Sequence, residues 1–517
     1  MCAFVMYFTS TALTLKIFFT FVLLTFFTAT FGQVVQPSRL EIPVGKQEPG
    51  FEVIPAQEKG LFLYRRLMSR NNEHMLEIVK LDTALQQNWK GYLQIDSHYQ
   101  LMGKRTGHNN LYLLLRAQEI MKKDMHLYAV NQDDGTFTQH IIKNFIPFVP
   151  SDFQVTNYGA IVGGYYNQIP VVIYYSFKTR TSKILPGLLN EQGELTQIKI
   201  QENGAFDVLI SAYNFERQKT VWIKSYDNEA NLVYHVPLRP EGNKHLIFAR
   251  SLKTNNDTQV IAGTYGNRNS EYSKGIFLAT IDGQGSQLIK YYSYGDLENF
   301  FKYMKVRKEK RIKDRIERRK VLGKRVRFNY RFIVHELVPY NNQFVLLGEA
   351  FYPRYQNSDY SYGQRFFYNY ANRNYYRVFD GYRYTHAVVM GFDKSGRLLW
   401  DNSFEINDVK TFTLEQFVKL EMQPRKIALL YLFENKIRTK IIDGNEVLEG
   451  KTTEPIRTNS DTDIPKNDRS NDSRMDYWYS DFFYASGVQN IINYKEGERR
   501  VFFINKISYL DAPTVDQ

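Results

Sequence analysis

The sequence predicts an all-β fold, a β-propeller of seven or eight blades, and three observations carry that expectation. Short apolar runs recur about every fifty residues. Each period also holds a strand-like run, a turn with Asp or Gly, and a second apolar run. Aromatic residues make up 15% of the chain, with 38 Tyr and 37 Phe, and flat rings suit the pleated, half-buried surface of a sheet. The chain has 517 residues, 43% apolar and 23% charged, which is enough to bury a core and excludes a disordered chain.

The leader comes first. Lys16 precedes a largely apolar run over 17–31, and Gly32-Gln33 follows. A positive charge, an apolar run and a small residue form a signal-peptide pattern. Residues 1–32 are therefore read as a cleaved leader, with a retained N-terminal helix as the alternative. The expected location is secreted or periplasmic, with cell-surface association as an extension of that reading. The single cysteine is Cys2, so a mature chain would hold no disulfide, thiolate metal site or cysteine nucleophile. Residues 33–58 read as a lead-in, and 59–510 as the propeller.

The repeat defines that propeller. Its runs begin at Leu61, Leu111, Ile161, Val208, Val260, Phe344, Ile427 and Phe482, in steps of 50, 50, 47, 52, 84, 83 and 55. The two long steps contain two odd segments, 296–331 and 352–384. Without them, one period of about fifty residues covers the chain. Three to four strands per period, repeated seven or eight times, match blades stacked around an axis. A pair of β-sandwiches or a solenoid is the competing architecture. Hairpin signals fall at Asp282-Gly-Gln-Gly285 and Asp393-Lys-Ser-Gly396, with weaker copies over 75–93, 127–142 and 221–236.

The module Phe392-Asp393-Lys-Ser-Gly396-Arg-Leu-Leu-Trp400 resembles the blade signature of quinoprotein-like propellers, and Ile281-Asp282-Gly-Gln-Gly285 is a partial copy without the Trp. The resemblance implies that Trp400 docks against the adjacent blade. Trp89, Trp222 and Trp478 are not read as copies of it. No cofactor is carried over, because the axial residues of a pyrroloquinoline site are not matched.

The segment 296–331 is the basic device. Residues 302–331 hold 15 Lys/Arg against 3 acids. With Lys16 also set aside, the rest of the chain has 51 bases and 51 acids, so the net charge of +13 describes one segment rather than the body. Good helix formers and the pairs Glu309–Lys313 and Asp314–Arg318 predict a helix of about five turns, ~28 Å long. Phe301, Met304, Ile312 and Ile316 form its narrow apolar face, with the Lys308 stem filling the gap. It is expected to be held at Phe300-Phe301 and to project from the body. Lys305, Lys308, Arg311, Arg315, Arg318 and Arg319 are the candidate anion-binding residues. The plainer alternative is a solvated helix shielding a blade.

The segment 352–384 holds ten Tyr and three Phe. Tyr360, Tyr362, Tyr368, Tyr375 and Tyr376 are the candidate aromatic binding loop, since Tyr offers large rigid contact area at low entropic cost. Packing on the outside of the body is the alternative. A third insertion, 451–476, reads as a flexible polar loop. Consecutive modules carry the first two insertions, so these two are expected to lie side by side.

Catalytic motifs are absent: there is no Gly-x-Ser-x-Gly, His-Glu-x-x-His, Gly-x-x-x-x-Gly-Lys-Ser/Thr or Gly-x-Gly-x-x-Gly. His335 and His386 sit in or beside apolar strands and read as satisfied core histidines. Asp461 and Asp463 lack the Gly and the terminal Glu of a calcium loop. No catalytic residue, metal ligand or cofactor is assigned. The expected function is a non-catalytic binding or scaffolding propeller of the cell envelope. Its expected partner is an anionic polysaccharide, a membrane surface or an acidic protein, and secretion argues against nucleic acid. The alternative is a glycan-active hydrolase or lyase, which an acidic trio on the axis would favour.

Overall fold

The computed structural model describes residues 33–510 apart from 69–73, 119–123, 144–145, 187–191, 255–257, 269, 271, 358–376, 408, 467–472 and 496. Its strands form eight separate antiparallel sheets in chain order. Blade 1 consists of Glu52–Pro55, Leu61–Met68, His74–Leu81 and Gln87–Ile95, and the next six blades repeat that meander. The fold is an eight-bladed β-propeller.

Each expected apolar run lies on the second strand of a blade, from Leu61–Met68 in blade 1 to Phe482–Asn493 in blade 8. These strands are covered on both faces, so their sequences read as continuous apolar runs rather than alternating ones. In blade 2, Leu111, Leu113 and Leu115 face blade 1, while Tyr112 and Leu114 face blade 3. Eight buried clusters fill the eight junctions between neighbouring blades. The last of them joins Leu61, Leu63 and Val79 of blade 1 to Trp478, Tyr484 and Phe502 of blade 8, which closes the ring.

The lead-in reading of 33–58 is corrected here. Gln33–Pro43 is the outermost strand of blade 8, paired antiparallel with Gly497–Leu510. Polar side chains reinforce this seam. Arg39 donates to Glu41, Asn505 and Gln489 at 2.8 Å each. Arg499 joins Asp463 of the inner strand (2.6 Å) to Glu41 of the outer strand (3.2 Å). The polar loop 451–476 is also corrected: its described residues hold the end of strand Glu446–Pro455, the short strand Asp463–Pro465 and the start of Arg474–Tyr479.

The hairpin turns follow one geometry. In blades 1, 4, 5 and 6, Asp82, Asp227, Asp282 and Asp393 each accept backbone N–H groups through Oδ1. The residue three places on takes a left-handed φ: Leu85 (64°), Ala230 (63°), Gly285 (80°) and Gly396 (78°). Only two of these are glycine, which is why the copies at 75–93 and 221–236 read as the weaker ones. Trp89 follows Asp82 at the same step of seven as Trp400 follows Asp393. Both indoles lie against a turn glycine of the next blade, Gly135 for Trp89 and Gly444 for Trp400. The docking role expected of Trp400 is therefore present, and Trp89 is its copy.

Candidate functional site

In an antiparallel blade whose first strand is innermost, two connections share one end of the sheet. They are the link between the second and third strands and the link to the next blade. The basic segment connects Gln287–Ser293 of blade 5 to Arg331–Tyr340 of blade 6. The Tyr-rich segment connects the second and third strands of blade 6. Both insertions thus leave the ring on the same face, called here the loop face.

The basic segment is anchored before it becomes helical. Tyr294, Phe300 and Phe301 are buried in the junction between blades 5 and 6. Asp401 of blade 6 accepts the backbone N–H groups of Glu298 and Asn299 at 2.8 Å each. Helix α1, Val306–Val321, follows; its 16 residues span ~24 Å. The expected attachment at Phe300-Phe301 is present, but the helix does not project freely. Ile312 and Ile316 pack on the same buried cluster, because two apolar side chains one turn apart make a stripe that seeks cover. Glu309 and Lys313 share that half-buried face and pair at 2.8 Å. The Lys308 stem fills no gap, and its side chain is exposed. Arg318 Nε donates to the Asp314 carbonyl oxygen at 3.1 Å.

All six candidate anion-binding residues are exposed. Lys305 occupies the N-cap position, and Lys308, Arg311, Arg315, Arg318 and Arg319 continue from it at helical steps of three and four. Lys308, Arg311, Arg315 and Arg318 form one solvent-facing stripe, Lys305 and Arg319 lie at its edge beside Ile312, and Glu309, Asp314 and Glu317 fall outside it. The five candidate tyrosines, Tyr360, Tyr362, Tyr368, Tyr375 and Tyr376, lie outside the described residues.

The base of the Tyr-rich segment is described, and it is not simply a loop. Strands Gln343–Asn357 and Arg377–Asp393 run on beyond the blade as a paired ribbon. Along it, Tyr355, Phe379, Tyr382 and Phe351 form a chain of ring contacts with centroids 4.9 to 5.9 Å apart. Beside this base an open hollow of about 510 Å³ spans blades 4, 5 and 6. Phe351, Tyr382, Phe332 and Phe248 supply aromatic walls, and Lys219, His245 and Arg331 supply nitrogen groups. His245 Nδ1 accepts the Lys219 backbone N–H at 2.9 Å, which leaves the proton of the neutral ring on Nε2. Burial, then the charges of Arg268 and Lys219, hold the His245 pKa below its usual value. The one acid of the lining is Glu194, 3.6 Å from Lys219 Nζ. Sequence reasoning missed this hollow because its residues come from three blades.

The inner strands carry paired charges. Lys104 of blade 2 pairs with Glu52 of blade 1, and Arg105 lies 4.0 Å from Asp152 of blade 3. Lys199 of blade 4 reaches Glu336 of blade 6 at 2.7 Å, past blade 5. Each of these three acids is matched by a base, so they do not form the acidic trio that would favour an enzyme. One carboxyl pair stands apart. Glu421, on the inner strand of blade 7, hydrogen-bonds Asp481, which lies in a blade 8 turn on the opposite face. Burial first, and Asp481 second, push the Glu421 pKa up to about 7.

Both histidines are buried as expected, but only His335 is shown with a carboxylate partner, and His386 Nε2 is buried with no hydrogen-bond partner among the described residues. His335 Nε2 lies 2.8 Å from Glu349, which also accepts the Val418 N–H at 2.7 Å. His386 is fully buried, stacked on Tyr303 at 3.7 Å, and burial pushes its pKa down to about 3. Among the described residues, no group of three or more His, Cys, Asp or Glu is placed to hold a metal ion, and no helix is long and apolar enough to cross a membrane.

No family model matches the chain, and no curated protein matches it. Of the expected quinoprotein-like resemblance, the structure supports the β-propeller alone. Among solved structures, the polysaccharide lyase Uly1 is 10% identical, covering 82% of this chain and 93% of its own, with a TM-score of 0.38. The β-propeller domain of the Trilobed protease from Pyrococcus furiosus is 10% identical, covering 78% and 98%, with a TM-score of 0.36. The WD40 domain of SCAP from fission yeast is 8% identical, covering 92% and 98%, with a TM-score of 0.36. At these identities the likeness concerns the fold alone.

Proposed function

We propose that this protein is a non-catalytic binding or scaffolding propeller of the cell envelope, secreted or periplasmic. Its loop face meets an anionic polymer, surface or protein partner. One observation carries the reading: both insertions leave the ring on one face, and the helix there turns an acid-free stripe of cations to solvent. Docking through Ile312 and Ile316 fixes the stripe's orientation. A rigid row of like charges binds a polyanion with less ordering cost than a free tail would.

The test is retention on heparin resin. Charge reversal at Arg311, Arg315 and Arg318 (each →Glu) spares the docked face, and is expected to lower the salt needed for elution. Unchanged elution would remove the stripe from the site.

A second reading, a glycan-active hydrolase or lyase, has one observation in its favour. Glu421 is a carboxyl group held near neutrality beside a second carboxyl, the arrangement of a general acid. Incubation with a panel of acidic and neutral polysaccharides tests it. Release of reducing ends by the wild type, abolished in Glu421→Gln, would favour the enzyme over the binder.

A further inference from the structure

Exposed aromatic rings gather on the loop face of blades 4 to 6. Phe215, in the blade 4 turn beside the hollow, is 95% exposed, and its neighbour Tyr213 is 41% exposed and lines the hollow. Tyr272 of blade 5 is 48% exposed, and Arg331 lies over its ring at 5.3 Å. Tyr352, Tyr355 and Phe379 are exposed on the blade 6 ribbon. Water-facing rings at this density mark a recognition surface rather than a solvated one.

We propose that the hollow over blades 4 to 6, with its rim of rings, is a subsite for an acidic polysaccharide. This rests on the reading of the loop face as the binding face, and deepens it by naming the ligand class. The chemistry of the lining selects that class. The C–H faces of a sugar ring are apolar and weakly positive, so they stack on the negative faces of aromatic rings. The rings here share the lining with the cationic side chains of Lys219 and Arg331, which an apolar protein contact would leave unmatched. Guanidinium and ammonium groups pair with carboxylates or sulfates carried on sugars. A volume of about 510 Å³ suits a small-ligand subsite.

The experiment measures dissociation constants for polygalacturonate, heparin, neutral dextran and polyglutamate. Two variant sets of the full chain are compared with wild type. The hollow set is Tyr213→Ala, Phe215→Ser and Arg331→Gln. The stripe set is Arg311→Glu, Arg315→Glu and Arg318→Glu. Thermal unfolding confirms that each variant folds. Wild type is expected to bind one or both acidic polysaccharides and not dextran, and the hollow set to weaken that binding by about tenfold or more. A response to polygalacturonate alone identifies carboxylate sugars, and one to heparin alone identifies sulfated sugars; either supports the subsite. Wild-type affinity in the hollow set overturns it. So does polyglutamate bound as tightly as the sugars and lost in the same variants, which assigns the surface to an acidic peptide. Loss confined to the stripe set overturns the subsite while leaving the binding face intact. Absence of any polyanion binding by wild type overturns both.

Discussion

Replacing Asp463 by Asn tests how the ring is closed. Asp463 sits on the inner strand of blade 8, its side chain shielded from solvent, 2.6 Å from Arg499, which also holds Glu41 of the N-terminal strand. The Arg499 hydrogen bond is the main reason that its pKa falls from 3.8 to about 2. A drop of that size corresponds to about 2 kcal/mol of stability. Breaking a buried pair can cost 3–5 kcal/mol, at about the upper end. Arg499, however, is 26% exposed and keeps Glu41, so the smaller figure applies. The sign follows from the depressed pKa: the contribution is present above the unfolded value and is lost as pH falls through the folded one. Urea unfolding should therefore show Asp463→Asn less stable than wild type by about 2 kcal/mol near pH 6, with the gap closing towards about pH 2. A gap that persists unchanged at low pH would refute the electrostatic account and leave only packing. No gap at all would show that the seam does not depend on this pair.

Three further outcomes test the fold and the carboxyl pair. Leu113→Ala removes a fully buried side chain from the junction of blades 1 and 2, and should cost about 2–5 kcal/mol in thermal unfolding. Gly391→Ala places a Cβ within 2.2 Å of the Trp400 indole. It should cost about 1–3 kcal/mol and shift tryptophan emission to longer wavelength as the ring leaves its site. Glu421 has a raised pKa, about 7, so its contribution is complete below its unfolded value and is lost as pH rises through neutrality. Glu421→Gln should flatten the stability profile between about pH 5 and about pH 8 and should be the more stable protein at the upper end; an already flat wild-type profile would refute the assignment.

The parts of the fold that could be read from the chain are those buried on both faces. A second strand such as Leu111 to Leu115 packs against two neighbours, so no polar residue interrupts it. Outer strands leave one face in water, and their patterns blur. Gln33–Pro43 was hidden for a further reason: it carries Arg39 and Glu41, and its partner strand lies at the other end of the chain. Trp89 was not read as a copy of Trp400 because Leu85 occupies a left-handed position where glycine was expected, in a turn held by N–H bonds to Asp82. The basic stripe was legible because helical spacing is local. The hollow was not, because Lys219, His245 and Arg331 belong to three blades and meet only when the ring is assembled.

The two faces of the ring differ in what they can accommodate. On the face opposite the insertions, the connections between the third and fourth strands are short. Several use a left-handed residue and a bonded Asp, and two of them bear a glycine that seats a tryptophan of the preceding blade. Lengthening such a turn would unseat the tryptophan and open a blade junction. Among the described residues no tryptophan is seated this way on the loop face, where the links range from two residues at 167–168 to the whole of 294–330. Extra chain there costs only slowly growing loop entropy. New chemistry can therefore accumulate on one face without loosening the ring, and in this protein the basic insertion and the aromatic ribbon both leave the ring on the face that bears the hollow.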